Sequence, residues 1–595
     1  MPITSQWMSL LDRLSDEFGA AFEKLGLDPE LGRVVVSQRP ELGQFQVNGA
    51  MAAARQAGRP PRQIAESVLD HIGRADRFAV LEVAGPGFIN ITLADEALAE
   101  HIRGLADDDR QGVVPVGDPL TVVVDYAGPN VAKPMHVGHL RATIIGDSLR
   151  RLFGFVGHRA IGDPHFGDWG LQMGQLIAEL EYRRPDLPYF DPDSTGPYPA
   201  EPPLSLEDLI ELYPEAVRRC SIEPEAMTAA QRATTDLQRG RPGYLALWRH
   251  FVAVSRDSQE SDFDRLGVRF DLWMGESDVA GRIPELLERV KASGAAEESE
   301  GALIVRVDRP DDRMEIPPLL LVTSRGSYLY STTDLATIDQ RVQELGAGAI
   351  LYVVDARQSL HFEQVFRAAH LTGIAPDEVD LEHIPFGTMN GPDGRPFKTR
   401  EGGVVRLSDL IEMVTTAALG RIDEADIAAG YSEEERRTIA TTVGLAALKF
   451  GDLANHRSSN YVFDLDRFAS FEGKTGPYLL YGAVRIKSIL RRAEEFGLSA
   501  GEVLPATHPA ERQLMVCVAL FPEAVGRAIE GRAPNHVAEY AYNLATDFNR
   551  FYDSCHILRE EDKDRQASWL TLVSMTLATL ERSLDLLGIE VPDRM

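Results

Sequence analysis

Cysteine is almost absent. The 595 residues contain three, at positions 220, 517 and 555. They are too far apart to form a disulfide framework or to show zinc-ligand spacing, which fits a reducing compartment. Long hydrophobic runs are also missing. No stretch reaches the roughly 18 uninterrupted apolar residues that a membrane-spanning helix needs. The first 22 residues are acidic, with Leu10, Leu11, Leu14, Phe18 and Phe22 on one stripe. Without a basic start or a continuous apolar core, they read as a folded helix and not as a signal peptide. Positive charge is scarce as well. Lys and Arg total 61 against 91 Asp and Glu, a net charge of −30. A polyanionic partner would be repelled at long range, so any nucleic-acid contact needs a local basic track on an acidic body.

The rest of the composition is that of an ordinary folded protein, 44% hydrophobic and 26% charged. The length exceeds one hydrophobic core and implies about three or four domains. Residues 1–112 alternate helical and strand patterns, an α+β unit that ends in the linker Asp107–Gly112. Residues 118–404 open with a strand at 120–126, a helix at 140–156 and a strand at 158–162. That βαβ order predicts a parallel sheet. A Pro-rich insertion starts at 184, and the interruption extends to about 300. Further strands are expected at 303–307, 319–322, 328–330, 349–354 and 384–389. Residues 405–465 read as a helical stem and 466–595 as an all-α bundle, with helices at 407–419, 432–452, 466–494, 508–529, 534–559 and 564–587. The fold class is therefore multidomain α/β. A Rossmann-type parallel-sheet domain with an insertion lies between an α+β N-terminal domain and an all-α C-terminal bundle.

The most informative string is Asp125-Tyr126-Ala127-Gly128-Pro129-Asn130-Val131-Ala132-Lys133-Pro134-Met135-His136-Val137-Gly138-His139. It runs from a buried strand through a Gly-Pro-Asn break into an amphipathic helix. His136 and His139 stand three apart where that helix begins. Free N–H groups and the positive dipole end suit a polyphosphate there, and Gly138 leaves room for a nucleotide ring to approach the backbone. Downstream, residues 387–403 form a glycine-bounded loop with Lys398 and Arg400 at its centre. Such a loop could close over a triphosphate and neutralise the leaving pyrophosphate; read alone, the residues favour a surface hairpin with solvated charges. Asp125, Asn130, Tyr330, Asp334 and Gln358 fall at or after expected strand ends, where open α/β sheets bind ligands. Carboxylates and amides suit a guanidinium and a free α-amine. The simpler reading of Asp334 is a cap for a helix starting at Leu335.

Together these motifs resemble the arginyl-tRNA synthetases of class I. The resemblance extends to Tyr330–Ala336, Asp355–Phe362, Phe166–Gly174, Gly85–Asn90 and the ending Leu587–Met595, and so spans nearly the whole chain. What it implies is an arginine–tRNA ligase that uses ATP, Mg²⁺, L-arginine and tRNA(Arg). It implies catalysis by Lys133, His136, His139, Lys398 and Arg400, with ATP held by Gly138, the two histidines and both lysines. It implies arginine binding by Asp125, Asn130, Tyr330, Asp334 and Gln358. Phe88 and Asn90 would touch the outer corner of the tRNA, an aromatic for stacking and an amide for base edges. No resident metal site, a cytoplasmic monomer and no membrane association are expected. The chain departs from the class at 397–400, Phe-Lys-Thr-Arg in place of Lys-Met-Ser-Lys-Ser, which leaves one loop lysine and gives Lys133 a compensating role. Gln44 replaces an acidic residue expected there. In the bundle, Tyr540, Leu544, Phe548 and Phe551 recur at helical spacing and favour a core over an RNA platform, whereas Lys474, Arg485, Lys487, Arg491 and Arg492 form a candidate phosphate track. The alternatives are a class I synthetase for another amino acid and a non-catalytic nucleotide- or RNA-binding paralogue.

Overall fold

The computed structural model describes residues 9–595 except 40, 74, 325, 392, 396, 398–404 and 426–429. Helix Leu10–Lys24 starts at Ser9, whose hydroxyl and backbone N–H exchange hydrogen bonds with Asp12 in a reciprocal cap. Its apolar stripe lies on an antiparallel sheet ordered Val34–Val36, Phe45–Val47, Phe88–Leu93, Phe78–Ala84.

The site is positioned by a second, parallel sheet. Its order is Asp380–His383, Ala347–Val353, Thr121–Tyr126, Arg159–Asp163. From Thr121–Tyr126 the chain crosses through helix Val137–Phe155 to one side. From Ala347–Val353 it crosses through helix Ser359–Leu371 to the other. The two central strands are neighbours, with Asp125 opposite Tyr352 and Tyr126 opposite Val353. Their connections leave in opposite directions, which opens a crevice at their carboxyl ends, the place where such sheets bind ligands. Val122, Val123, Val124, Ile350 and Leu351 are fully buried, as a strand covered on both faces requires.

The insertion begins with residues 184–203, which contain neither helix nor strand. Helices Leu206–Ile222, Pro224–Gln238 and Pro242–Arg265 follow. They enclose a core of their own around Leu176, Leu209, Tyr244 and Phe251. A small antiparallel sheet, Ala296–Ser299, Ala302–Val305 and Leu319–Val322, completes this region.

Four expected elements differ. Tyr330 is not in a strand but opens helix Tyr330–Gln343, because Ser331 and Thr332 donate their hydroxyls back to the carbonyls of Leu320 and Leu321. The strand expected at 384–389 lies earlier, at Asp380–His383, and Pro385 cannot donate to a ladder. Met389–Asn390 instead pairs with Tyr461–Val462. The helix expected at 466–494 is two, Leu465–Phe468 and Gly476–Glu495. Gly473 takes a left-handed φ of 79° between them, and Thr475 caps the second helix ahead of Pro477. The helix expected at 508–529 breaks at Leu520, with Pro522 in the first turn of Phe521–Glu530.

Candidate functional site

His136 and His139 are joined by a reciprocal helix cap. His136 has extended backbone and precedes the first helical residue. Its Nδ1 accepts from the Gly138 N–H at 3.0 Å. The His139 Nδ1 accepts from the His136 N–H at 3.2 Å, and the ring centroids are 3.9 Å apart. A neutral imidazole that accepts at Nδ1 carries its proton at Nε2. Both rings therefore offer an Nε2–H donor. Burial lowers both pKa values; that of His139 falls to about 3, with His136 beside it the next cause. At neutral pH they act as dipolar donors at a positive helix end, not as cations. A Cβ on Gly138 would lie 2.8 Å from the His136 ring, so glycine is required by the cap itself.

The loop that holds Lys398 and Arg400 is tied down at both ends. Entering, Gly387 N–H donates to Arg457 O at 2.9 Å and Thr388 N–H to the Asn460 side chain at 2.7 Å. Leaving, Val405 O accepts from Val137 N–H, and Leu407 N–H donates to Met135 O, both at 3.0 Å. The loop thus returns directly onto the backbone of the histidine cap. Lys398 and Arg400 themselves lie outside the described residues. Lys133 is half-buried, which lowers its pKa, and its Nζ sits 5.1 Å above the Tyr213 ring.

The sequence-derived arginine-binding residues divide into two groups. Asp334 and Tyr330 share the first turns of one helix. Asp334 Oδ2 is 2.6 Å from His361 Nε2, and the Tyr330 ring lies 4.7 Å from the His361 ring, with Tyr330 itself exposed. Asp334 is not a helix cap, because the capping residue is Leu329. Gln358 is exposed on the short turn after strand Ala347–Val353. Asn130 is half-buried on the opposite lip of the crevice, bridged to Gly167. Asp125 is engaged within the chain. It is 6% exposed, and its Oδ2 lies 2.7 Å from Nη2 of Arg341, which also meets Asp163 Oδ2 at 2.7 Å. Its carboxylate already holds a guanidinium, the chain's own. Burial by itself would lower the His165 pKa, but Asp163 and Asp125 outweigh it and raise it.

Sequence reasoning missed Glu276. Burial pushes its carboxyl up to about 7, with a downward pull from His165 and an upward push from Asp334 and Asp168. It is thus a carboxyl within electrostatic reach of Asp334, Asp168 and His165. Its only signal was a Gly-Glu-Ser-Asp run after Trp273-Met274. Asp168 accepts from Ser277 N–H at 3.0 Å and Oγ at 2.6 Å, holding the turn that carries Glu276. Trp169 packs edge-on against Trp248. Non-glycine residues with left-handed φ gather here too: Ala127 (80°), Ala132 (59°) and His165 (38°). Such strain persists only where its surroundings impose it.

The two residues suggested for RNA contact separate. Phe88 is half-buried beside the Gly85–Gly87 turn. Asn90 is 1% exposed; its Oδ1 accepts from Gln46 across the sheet at 2.9 Å, and its Nδ2 is left without a partner. In the bundle, Tyr540, Leu544, Phe548 and Phe551 are core, as their spacing favoured. The basic track is divided. Lys487 pairs with Glu581 at 2.9 Å, and Arg491 donates to Asp593 O at 3.2 Å. Arg485 instead lies between the exposed rings of Tyr481 and Tyr552, at 4.8 and 5.7 Å, and donates to Asn549.

Three regions of the chain match known families. Residues 12–93 match the arginyl tRNA synthetase N terminal domain. Residues 101–465 match the class I (R) tRNA synthetase catalytic domain, and 479–595 the DALR anticodon binding domain. An arginine–tRNA ligase of Maricaulis maris is 52% identical over 99% of this chain and 100% of its own length. One of Hyphomonas neptunium is 50% identical with the same coverage. Among solved structures, arginyl-tRNA synthetase of Plasmodium falciparum superimposes with a TM-score of 0.82 at 24% identity, covering 100% of both chains. That of Thermus thermophilus gives 0.81 at 24%, covering 98% of this chain and 100% of its own. These two show the likeness of fold.

Proposed function

The chain belongs to the arginyl-tRNA synthetase family and is a class I arginine–tRNA ligase, and from that premise we propose how its residues divide the reaction. The substrates are ATP, L-arginine and tRNA(Arg). An arginine carboxylate oxygen attacks the α-phosphorus in line, and the bond to the bridging oxygen of pyrophosphate breaks. A hydroxyl of the 3′-terminal ribose of tRNA then attacks the arginyl carbonyl, and AMP leaves. Neither step needs a protein nucleophile. Catalysis is positioning and stabilisation of charge as it develops.

The observation that carries this reading is the paired cap of His136 and His139, with both Nε2–H groups left as donors where the catalytic loop returns. Those donors and the helix N-terminus meet the α-phosphate. Lys133, with Lys398 and Arg400 of the loop, neutralises the pyrophosphate, and Gly138 lies under the nucleotide. Asp334 and Glu276 take the guanidinium, with Tyr330 and Gln358 beside it and Asn130 at the backbone end of the substrate. Among the described residues no cluster of three or more carboxylate, imidazole or thiolate groups could cage a metal. Mg²⁺ would enter on the triphosphate, whose oxygens and bound waters supply most of its ligands.

Phe88 and the Tyr481–Arg485–Tyr552 surface contact tRNA, because rings and a guanidinium stack on unpaired bases. No described helix is long and apolar enough to cross a membrane. We place the enzyme in the cytoplasm as a monomer. The test is ATP–pyrophosphate exchange run across the amino acids, with and without tRNA(Arg), followed by charging. Exchange specific to arginine and charging of tRNA(Arg) are expected. Exchange with another amino acid, or none under either condition, overturns the reading.

A further inference from the structure

The inserted helices hold the lysine that stands before the histidines. Residues 130–133 form a tight turn with no regular secondary structure, and Ala132 in it has a left-handed φ of 59°. For a residue with a Cβ that conformation costs roughly 1–2 kcal/mol and must be imposed from outside. The imposing groups come from the insertion. Gln259, 2% exposed, donates from Nε2 to Asn130 O at 2.9 Å and to Lys133 O at 3.2 Å. Ser255, fully buried one helical turn earlier, accepts the Ala132 N–H at 3.0 Å. At that spacing the two side chains share one face of helix Pro242–Arg265. Gln172, from the helix preceding the insertion, donates to Val131 O. Tyr213, on helix Leu206–Ile222, lies beneath the Lys133 ammonium.

We infer that Gln259 is a positioning residue for adenylation: with Ser255 it fixes the strained Asn130–Lys133 turn, and with Tyr213 it sets where the Lys133 ammonium stands. The inference rests on the role proposed for Lys133. One primary amide bridging two carbonyls closes the turn from both ends, and the Ser255 hydroxyl satisfies the inward-facing N–H between them. The Tyr213 ring face then attracts the ammonium without neutralising it, so the full charge is kept for phosphate oxygens. The insertion is in this sense part of the nucleotide site, although none of its own residues needs to touch ATP.

The test is a double-mutant cycle on the full-length enzyme, read by ATP–pyrophosphate exchange with arginine and tRNA(Arg) present. Gln259→Leu removes both donors at similar volume. Misplacing a catalytic group by an ångström costs on the order of 10²-fold, and a fall in kcat between about tenfold and that value is expected, with the arginine KM within about twofold of wild type. Lys133→Ala should lower kcat at least as far. The double variant should be no slower than Lys133→Ala alone, since residues acting as one unit are not additive. A wild-type rate for Lys133→Ala overturns the lysine's role and this inference with it. A slow Lys133→Ala with a normal Gln259→Leu, or with losses that multiply, overturns the inference alone. If Gln259→Leu does not fold, Ser255→Ala and Tyr213→Leu replace it in the same cycle. Tyr213→Phe, which keeps the ring face, should recover most of what Tyr213→Leu loses. No recovery would assign Tyr213 to packing and overturn its part.

Discussion

Arg341 Nη2 lies 2.7 Å from Asp125 Oδ2, and both groups are buried beneath the crevice. The same nitrogen meets Asp163 at the same distance, so one internal guanidinium ties together two neighbouring parallel strands and a helix. Tyr352, opposite Asp125 in the sheet, places its ring 5.4 Å from that guanidinium. The floor of the proposed arginine pocket is thus built around an arginine of the protein itself.

Arg341→Met should be strongly destabilising. It leaves two buried carboxylates without their cation, a change that typically costs about 3–5 kcal/mol. Urea unfolding followed by circular dichroism should show a lower midpoint. An unchanged midpoint would mean that water or His165 already satisfies the pair.

Asp334→Asn should impair the use of arginine. An amide has one acceptor oxygen in place of two, so it cannot take the guanidinium fork side by side or balance its charge, and such a loss costs roughly 2–5 kcal/mol. The arginine KM should rise far more than the ATP KM in steady-state charging. If neither moves, the His361 contact is the whole function of Asp334.

The protonation of Glu276 predicts a pH effect. Its carboxyl is raised to about 7, chiefly by burial, so it is protonated below that pH and ionised above it. A guanidinium favours the ionised form. Arginine KM should therefore rise as pH falls below 7, by up to about tenfold per unit for a single required ionisation. Glu276→Gln should raise the KM at pH 8 and flatten the profile. A variant with the wild-type slope would move the titration to another group.

His139→Ala removes one proposed phosphate donor and one half of the reciprocal cap. The loss of such a donor costs on the order of 10²–10³ in rate. Pyrophosphate exchange should fall by that factor with the ATP KM little changed. Normal exchange in the folded variant would leave His139 as a helix cap only.

Phe88→Ala should weaken tRNA(Arg) charging through the tRNA KM alone, since stacking a base on an aromatic ring contributes about 1–3 kcal/mol. An equal rise in the ATP KM would place Phe88 in support of the catalytic core.

What the sequence determined by itself was local and ordered along the chain. The valine run at 122–124, the glycine–proline break and the helical period after His139 define a strand-to-helix turn, and backbone chemistry makes such a turn an anion site. The spacing of Tyr540, Leu544, Phe548 and Phe551 foretold core for the same reason, because one helical face repeats every three to four residues. Tertiary structure decided whatever depends on who faces whom. Asp125 and Asp334 are alike as letters at strand or helix ends, yet one is closed by Arg341, 216 residues away, and the other opens to the crevice. Asn90 faces inward, and only folding showed that its side-chain oxygen accepts from Gln46 across the sheet. Glu276 became notable only once folding buried it near Asp334 and Asp168, since a pKa is set by surroundings and not by spacing. Gln259 carries no sequence signal at all. Its role exists because a helix more than a hundred residues downstream packs against the turn before the histidines and satisfies the carbonyls there.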